Sequence, residues 1–383
     1  VYLERVEIHD FRVYDRVVLE FSPGLNVLLG PNAAGKSTVL EALGVLATGR
    51  SFRGATDAEM VRNGRKAYRV SGRLSGTLGS HIIEVIYTAP ADTASAARRV
   101  ISVDGRPLAR PSDILGRLPL VSFSPDDLPL AKGAPAERRR FLDSLLGQTS
   151  AAYRESLIRY HRILSQRNAL LGDLGARRLA TSAAAELLAP WDEALAGAAA
   201  EVQTRRATAV AALEPLAARA FARIDGGHLA ISYRPDRFDP SGRLDELRRG
   251  LTLSGPHRDE VVLTVDAQEA RRFASQGQQR SAVLALKLAA LELLEREAGE
   301  RPLLLLDDVM SELDPGRRAA LLPLLGRGQA FVTGTDRLGL ERALSEGNPP
   351  VGGERWFTVV GGTVCAEDSP APPAEVTDDP PAR

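Results

Sequence analysis

The sequence predicts an α/β fold, with strand texture toward both ends of the chain and a compact helical insert between them. Three observations predict it. Leu25-Asn26-Val27-Leu28-Leu29 reads as a buried strand, the stretch from Gly30 to Ser37 follows it, and a helix with apolar Val39, Leu40, Leu43 and Leu46 comes next. From about Glu137 to about Ile224 the texture turns to Ala, Leu, Arg and Glu at helical spacing. Leu303-Leu304-Leu305-Leu306 is then a fully apolar run that ends in Asp307-Asp308, the pattern of a strand covered on both faces.

The remaining elements follow in order. Leu3 to Ile8 and Val17 to Phe21 alternate as strands do, as do Tyr68 to Leu74, His81 to Tyr87 and Val100 to Val103. Leu118 to Phe123 is a short strand stopped by Ser124-Pro125-Asp126-Asp127. Helices are expected at Glu137 to Leu146, Ala151 to Leu171, Thr181 to Leu188 and Trp191 to Leu213, with Pro215 interrupting. Strand texture returns at His228 to Tyr233 and Val261 to Val265, a helix spans Gly277 to Glu297, and the last strands are Ala330 to Thr333 and Trp356 to Val360. No long heptad array appears, so the helical part reads as a compact insert and not a rod.

The 383 residues suffice for one large domain or two smaller ones. Lys and Arg (49) balance Asp and Glu (49), so global charge announces no nucleic-acid partner and any such surface must be local. The single cysteine, Cys365, excludes an internal disulfide framework and fits a reducing, cytoplasmic setting. No signal peptide is expected and no apolar run is long enough to span a membrane, so no membrane partner is expected.

Gly30-Pro31-Asn32-Ala33-Ala34-Gly35-Lys36-Ser37 fits the phosphate-binding loop G-x-x-x-x-G-K-[ST]. It lies between a strand and a helix N-terminus, where free backbone N–H groups and the helix dipole face an anion. A chance glycine-rich turn is the alternative, and the flanking elements weaken it. Lys36 can neutralise the β- and γ-phosphates of ATP, Ser37 can place a hydroxyl on Mg2+, and Thr38 closes the binding stretch. Asp307 at a strand end can hold Mg2+, and Asp308 can polarise an attacking water. Ser275-Gln276-Gly277-Gln278-Gln279-Arg280 opens a further helix, with Ser275 as its cap. A second phosphate-directed helix terminus is redundant on one nucleotide; it makes sense if it completes the site of another copy of the chain. The alternative is a helix cap and nothing more. His257 lacks a partner at ligand spacing and is not read as a metal site. Arg138, Arg139 and Arg140, and separately Arg271 and Arg272, suit either phosphate contacts or a solvated face.

These motifs in this order, with Ser311-Glu312-Leu313-Asp314 after the acidic pair, resemble the head domains of ABC-type ATPases, which include the SMC and Rad50 proteins. Phe11-Arg12, Gly49-Arg50-Ser51-Phe52-Arg53, Phe123 to Leu128, Arg139 to Asp143, Leu164 to Leu171 and Gly255-Pro256-His257-Arg258-Asp259 narrow the resemblance to the RecF family of recombination-mediator ATPases, up to about Thr335. The resemblance implies an ABC-type ATPase head with mixed α/β lobe I (1–125, then 255–365), helical lobe II (126–254) and a disordered tail (366–383). It implies lobe-crossing roles by position: Ser275, Gly277 and Gln278 as the signature acting in trans, Asp307 as the magnesium aspartate, Asp308 as the catalytic acid beside Lys36, and Ser311 and Asp314 as the D-loop at a dimer interface. It also implies a weak, DNA-stimulated ATPase that forms an ATP-dependent homodimer on DNA gaps or junctions. RecR and RecO are the implied partners in loading RecA, in a nucleoid-associated setting. The nucleotide-binding subunit of a membrane transporter is the rival expectation; Thr333-Gly334-Thr335 stands where transporters place a switch histidine. No Q-loop glutamine is assigned.

Overall fold

The computed structural model describes residues 2–76, 79–90, 96–177, 180–345 and 353–367. The N-terminal hairpin β1 (Tyr2–Phe11) and β2 (Tyr14–Glu20) leads to β3 (Leu25–Leu29), a glycine-bounded loop and α1 (Lys36–Thr48). The one-turn α2 (Asp57–Met60) precedes β4 (Ala67–Gly76), β5 (Gly79–Thr88), β6 (Arg98–Val103), β7 (Arg106–Pro107) and β8 (Leu120–Phe123). The helical part comprises α3 (Pro129–Lys132), α4 (Pro135–Thr149), α5 (Ala151–Ala176) and α6 (Thr181–Asp225), then β9 (Leu229–Arg234) and α7 (Arg243–Arg249). After it come β10 (Glu260–Val265), β11 (Gln268–Glu269), α8 (Ala270–Phe273), α9 (Gln276–Ala298), β12 (Leu303–Leu306), α10 (Val309–Glu312), α11 (Pro315–Leu325), β13 (Ala330–Gly334), α12 (Arg337–Ser345), β14 (Glu354–Val360) and β15 (Thr363–Glu367).

One sheet has the order β15-β14-β3-β13-β12-β8, parallel except for the β14–β15 hairpin. Its middle strands alternate between two cores. Leu25, Val27, Leu29, Leu304, Leu306, Ala330 and Val332 face a core shared with α4, α5, α6 and α9. Leu28, Leu303, Leu305 and Phe331 face the opposite core, which contains α1 and the antiparallel sheet β2-β1-β4-β5-β6-β7. Burial on both faces is why these strands are apolar throughout. α1 lies between the two sheets and is buried from Thr38 to Ala47, which explains its lack of a polar face.

Three expectations need correction. Thr181–Leu188 and Trp191–Leu213 are not separate helices: α6 is one 45-residue helix that runs through Pro190 and Pro215. An internal proline costs about 3 kcal/mol. Burial of Leu188 and Leu195 around the first, and of Leu213, Leu216 and Phe221 around the second, contributes about 1.5–3 kcal/mol per side chain and outweighs that cost. The helix is roughly 67 Å long, yet it packs along α5 and α9 and does not project as a rod. Of the tail expected from residue 366, Ala366 and Glu367 belong instead to β15 and pair with Phe357 and Trp356; 368–383 lie outside the described residues. Helices α7, α11 and α12 were not expected, each being short and joined by few periodic positions.

Buried ion pairs tie the helical part to the following strands. Arg206 pairs with Asp143 at 2.9 Å and Asp259 at 2.7 Å, and its Nη1 donates to the Pro256 carbonyl at 2.7 Å. Arg167, fully buried, pairs with Glu246 at 2.7 Å and Asp192 at 2.9 Å. The Gly255–Asp259 motif is therefore an anchoring segment. Arg138 is also turned inward, onto Glu260 at 2.6 Å and the carbonyls of Leu130 and Gly133, and so presents no charge to a DNA backbone. Arg139 donates to the Asp259 carbonyl, whereas Arg140, Arg271 and Arg272 are exposed.

Candidate functional site

The carboxyl ends of β3, β13 and β12 stand side by side, because these strands are parallel neighbours in that order. The loop after β3 and the acidic pair after β12 therefore flank the end of β13. At this edge four predicted residues meet. The Ser37 hydroxyl donates to Asp307 Oδ1 at 2.7 Å. Thr333, from β13, donates its hydroxyl to the same oxygen at 3.1 Å and accepts the Asp308 backbone N–H at 2.8 Å. Lys36 Nζ donates to the carbonyls of Gly30 and Pro31 at 2.9 and 3.0 Å. Thr333 was missed as a site residue; its only signal was a polar residue at the end of an apolar strand.

The loop is shaped as a cradle for an anion. Gly35 has φ 116°, and a Cβ on Gly30 would lie 2.1 Å from the Val359 carbonyl oxygen, so β14 presses on the loop where only glycine fits. Gly362, in the β14–β15 turn, donates its N–H to the Ala34 carbonyl at 3.3 Å, and Tyr14 donates to the Gly35 carbonyl at 3.0 Å. Pro31, Asn32 and Ala33 form the exposed outer rim, while Thr38 is buried in α1. No side chain caps the N-terminus of α1, which leaves that terminus for a ligand.

Electrostatics agree with the geometry. Lys36 is 5% exposed. Burial lowers its pKa from the usual lysine value, and the carboxylates of Asp308 and Asp307 oppose that shift. Burial pushes the Asp307 carboxyl above its ordinary range, against the hydrogen bonds from Ser37 and Thr333. Asp308 adopts a left-handed backbone, φ 55°, a strained conformation for a side-chain-bearing residue and one that collects at functional sites. The Ser37 hydroxyl and the buried Asp307 carboxylate form a two-oxygen donor set suited to Mg2+ held jointly with phosphate oxygens. Among the described residues no cluster of three or more His, Cys, Asp or Glu could hold a metal without a ligand's help.

A further turn reaches the same edge. β8 pairs in parallel with β12, so the turn at Ser124–Asp127 emerges beside Asp307, and the residue at its start is Ser124. Thr335 is exposed just past β13.

The other predicted group lies apart. Ser275 caps α9 by accepting the Gln278 N–H at 3.1 Å, and the Gln278 side chain accepts the Ser275 N–H at 3.0 Å. Ser275, Gly277 and Gln278 bond among themselves and to Arg317, not to the loop after β3. Asp314 caps α11 by accepting the Arg317 N–H at 2.9 Å. Ser311 lies on α10, and its side chain is outside those described.

The chain is similar to known proteins over most of its length. The family model "RecF/RecN/SMC N terminal domain" matches residues 2–343. A "DNA replication and repair protein RecF" from Symbiobacterium thermophilum is 41% identical, over 96% of this chain and 99% of that protein. A protein of the same description from Gloeobacter violaceus is 42% identical, over 88% and 92%. A solved structure of "the recombination mediator protein RecF-ATP in RecFOR pathway" superposes with a TM-score of 0.84 at 31% identity, covering 96% of this chain and 98% of that chain. The Smc head domain from Pyrococcus furiosus, at 15% identity and a TM-score of 0.54, shares the fold.

Proposed function

The chain belongs to the RecF/RecN/SMC N-terminal domain family, and from that premise we propose that it is a DNA replication and repair protein that binds and hydrolyses ATP to control its hold on DNA. The observation that carries this reading is the meeting of Lys36, Ser37, Asp307 and Asp308 at one sheet edge. Lys36 leaves its two loop carbonyls to hold the β- and γ-phosphates. Ser37 and Asp307 would hold Mg2+, which would neutralise charge on those phosphates. Asp308 orients the attacking water and accepts its proton. Its side chain is one methylene shorter than glutamate, so turnover is slow and hydrolysis serves as a switch.

Within one chain the capped α9 terminus bonds to Arg317 and not to the loop after β3. ATP is therefore clamped between the loop of one copy and Ser275, Gly277 and Gln278 of a second, with Ser311 and Asp314 at the interface, and the dimer presents a joint surface to DNA gaps or junctions. RecR and RecO are the partners of this reading, in RecA loading at the nucleoid of the cytoplasm. The transporter-subunit alternative is set aside, because the named relatives are DNA replication and repair proteins and no histidine follows β13.

Asp308→Asn tests the assignment. It keeps shape and removes the base, so the variant should bind ATP, hydrolyse it at least a hundredfold more slowly and accumulate as an ATP-bound dimer in sedimentation. Hydrolysis at the wild-type rate would remove Asp308 from the reaction. In the wild type, DNA should raise the ATPase rate.

A further inference from the structure

We propose that Arg317 is a positioning residue that locks the Asp314 turn to the first turns of α9, so that both elements offered to a facing copy move as one body. Its guanidinium reaches three elements. On α9, Nε donates to Ser281 Oγ at 2.9 Å and Nη2 donates to the Gly277 carbonyl at 2.8 Å. At the start of α11, Nη1 pairs with the Asp314 carboxylate, whose other oxygen accepts the Arg317 backbone N–H at 2.9 Å. Nη2 also lies 3.7 Å from Asp225, the last residue of α6.

The chemistry of the side chain suits this task. A guanidinium offers five donors in a rigid planar fork and can bond a carbonyl, a hydroxyl and a carboxylate at once, which an ammonium on a flexible stem does poorly. The side chain is 17% exposed, so these bonds are only partly open to competition from water. A Cβ at position 277 would come within 3.2 Å of Nη2, so glycine there lets the fork reach the helix backbone. Asp314 and Asp225 match the positive charge, and Arg317 therefore adds little potential at the α9 terminus. Its contribution is geometric: the cap at Ser275 and the turn at Asp314 keep a fixed separation, and Asp225 ties that unit to the long helix. The consequence for dimerisation rests on the two-copy site proposed above; the coupling inside one chain does not.

The experiment uses the full chain as wild type, Arg317→Ala, Arg317→Lys and Ser281→Ala. Amide hydrogen exchange on the nucleotide-free protein should show Arg317→Ala exchanging about tenfold faster or more at both 276–281 and 309–318, with the rest unchanged. Arg317→Lys keeps the pair with Asp314 and should restore only 309–318. Ser281→Ala, which removes one contact, should loosen only the start of α9. Unchanged exchange in either segment of Arg317→Ala, or loosening spread over the whole chain, overturns the proposal. Fluorescent-ATP titration should give Arg317→Ala an affinity within about twofold of wild type, while sedimentation with ATP shows a dimer about tenfold weaker. A variant dimer of normal stability also overturns it. A wild type that forms no dimer with ATP refutes the two-copy site instead, and Arg317 is then judged by exchange alone.

Discussion

At the residue scale the chain uses buried polar side chains in two ways. Asp307 and Lys36 are held in costly, desolvated positions beside a loop that can relieve both by taking a phosphate and its metal. His257 is held neutral for structural reasons. Its Nδ1 lies 2.6 Å from the Tyr160 hydroxyl and its Nε2 3.2 Å from the Thr252 carbonyl, so Nε2 carries the proton and Nδ1 accepts. Burial lowers its pKa, with Arg258 and Arg139 in the same direction, and the hydrogen bond to the Thr252 carbonyl and then Asp236 opposing. The unfolded chain returns the ring to about 6.5 and so binds a proton before the folded protein does. Stability is therefore full above about 6.5 and is lost as pH falls from there toward the folded value. His257→Gln keeps a donor toward Thr252 and removes the titration. Its melting temperature should fall less than that of wild type between pH 7 and 5, with His161 titrating in both and cancelling. Parallel curves would assign the acid sensitivity elsewhere.

At the element scale the decisive feature is a helix terminus without a ligand in its own chain. The N-terminus of α9 is capped by its own Ser275–Gln278 box, and its bonds run to that box and to Arg317. On the proposed two-copy site, Ser275→Arg should leave ATP binding by the monomer nearly intact and block ATP-driven dimerisation, since a bulky cation there would displace the γ-phosphate of a facing copy. DNA binding should weaken as well, and more so at higher salt, if two copies must present their basic surfaces together. Sedimentation with ATP beside fluorescent-ATP titration reads both; an ATP-dependent dimer of normal stability would refute the trans role. The same scale shows why local sequence predicts two helices where α6 is one. Proline is a reliable local breaker only where nothing holds the flanks, and here the flanks are buried on both sides of Pro190 and Pro215.

At the scale of the whole molecule the nucleotide loop is braced by the far end of the chain. β14 pairs with β3, the Val359 carbonyl abuts Gly30, and Gly362 bonds Ala34. A chain ending at residue 353 exposes the edge of β3 and releases the loop, so it should lose ATP binding by at least tenfold. A chain ending at Glu367 keeps the hairpin and should bind ATP as the full chain does. Nucleotide titration of the two truncations checks this; equal affinities would show that the hairpin does not shape the loop.

The sequence by itself determined the loop from Gly30 to Ser37, the acidic pair at Asp307-Asp308, the cap at Ser275 and most strands of both six-stranded sheets. Each is written in local chemistry: a backbone that must bend toward an anion, an apolar run covered on both faces, a hydroxyl beside a free N–H. Only the tertiary structure decided that Thr333 joins Asp307 to Asp308, that Arg138 points inward, that α6 continues through its prolines and that β15 extends past Cys365. It also decided that Arg317 binds the Asp314 turn to α9. These features depend on partners far away in the chain, and no local pattern records which distant carbonyl, carboxylate or strand edge a side chain will meet.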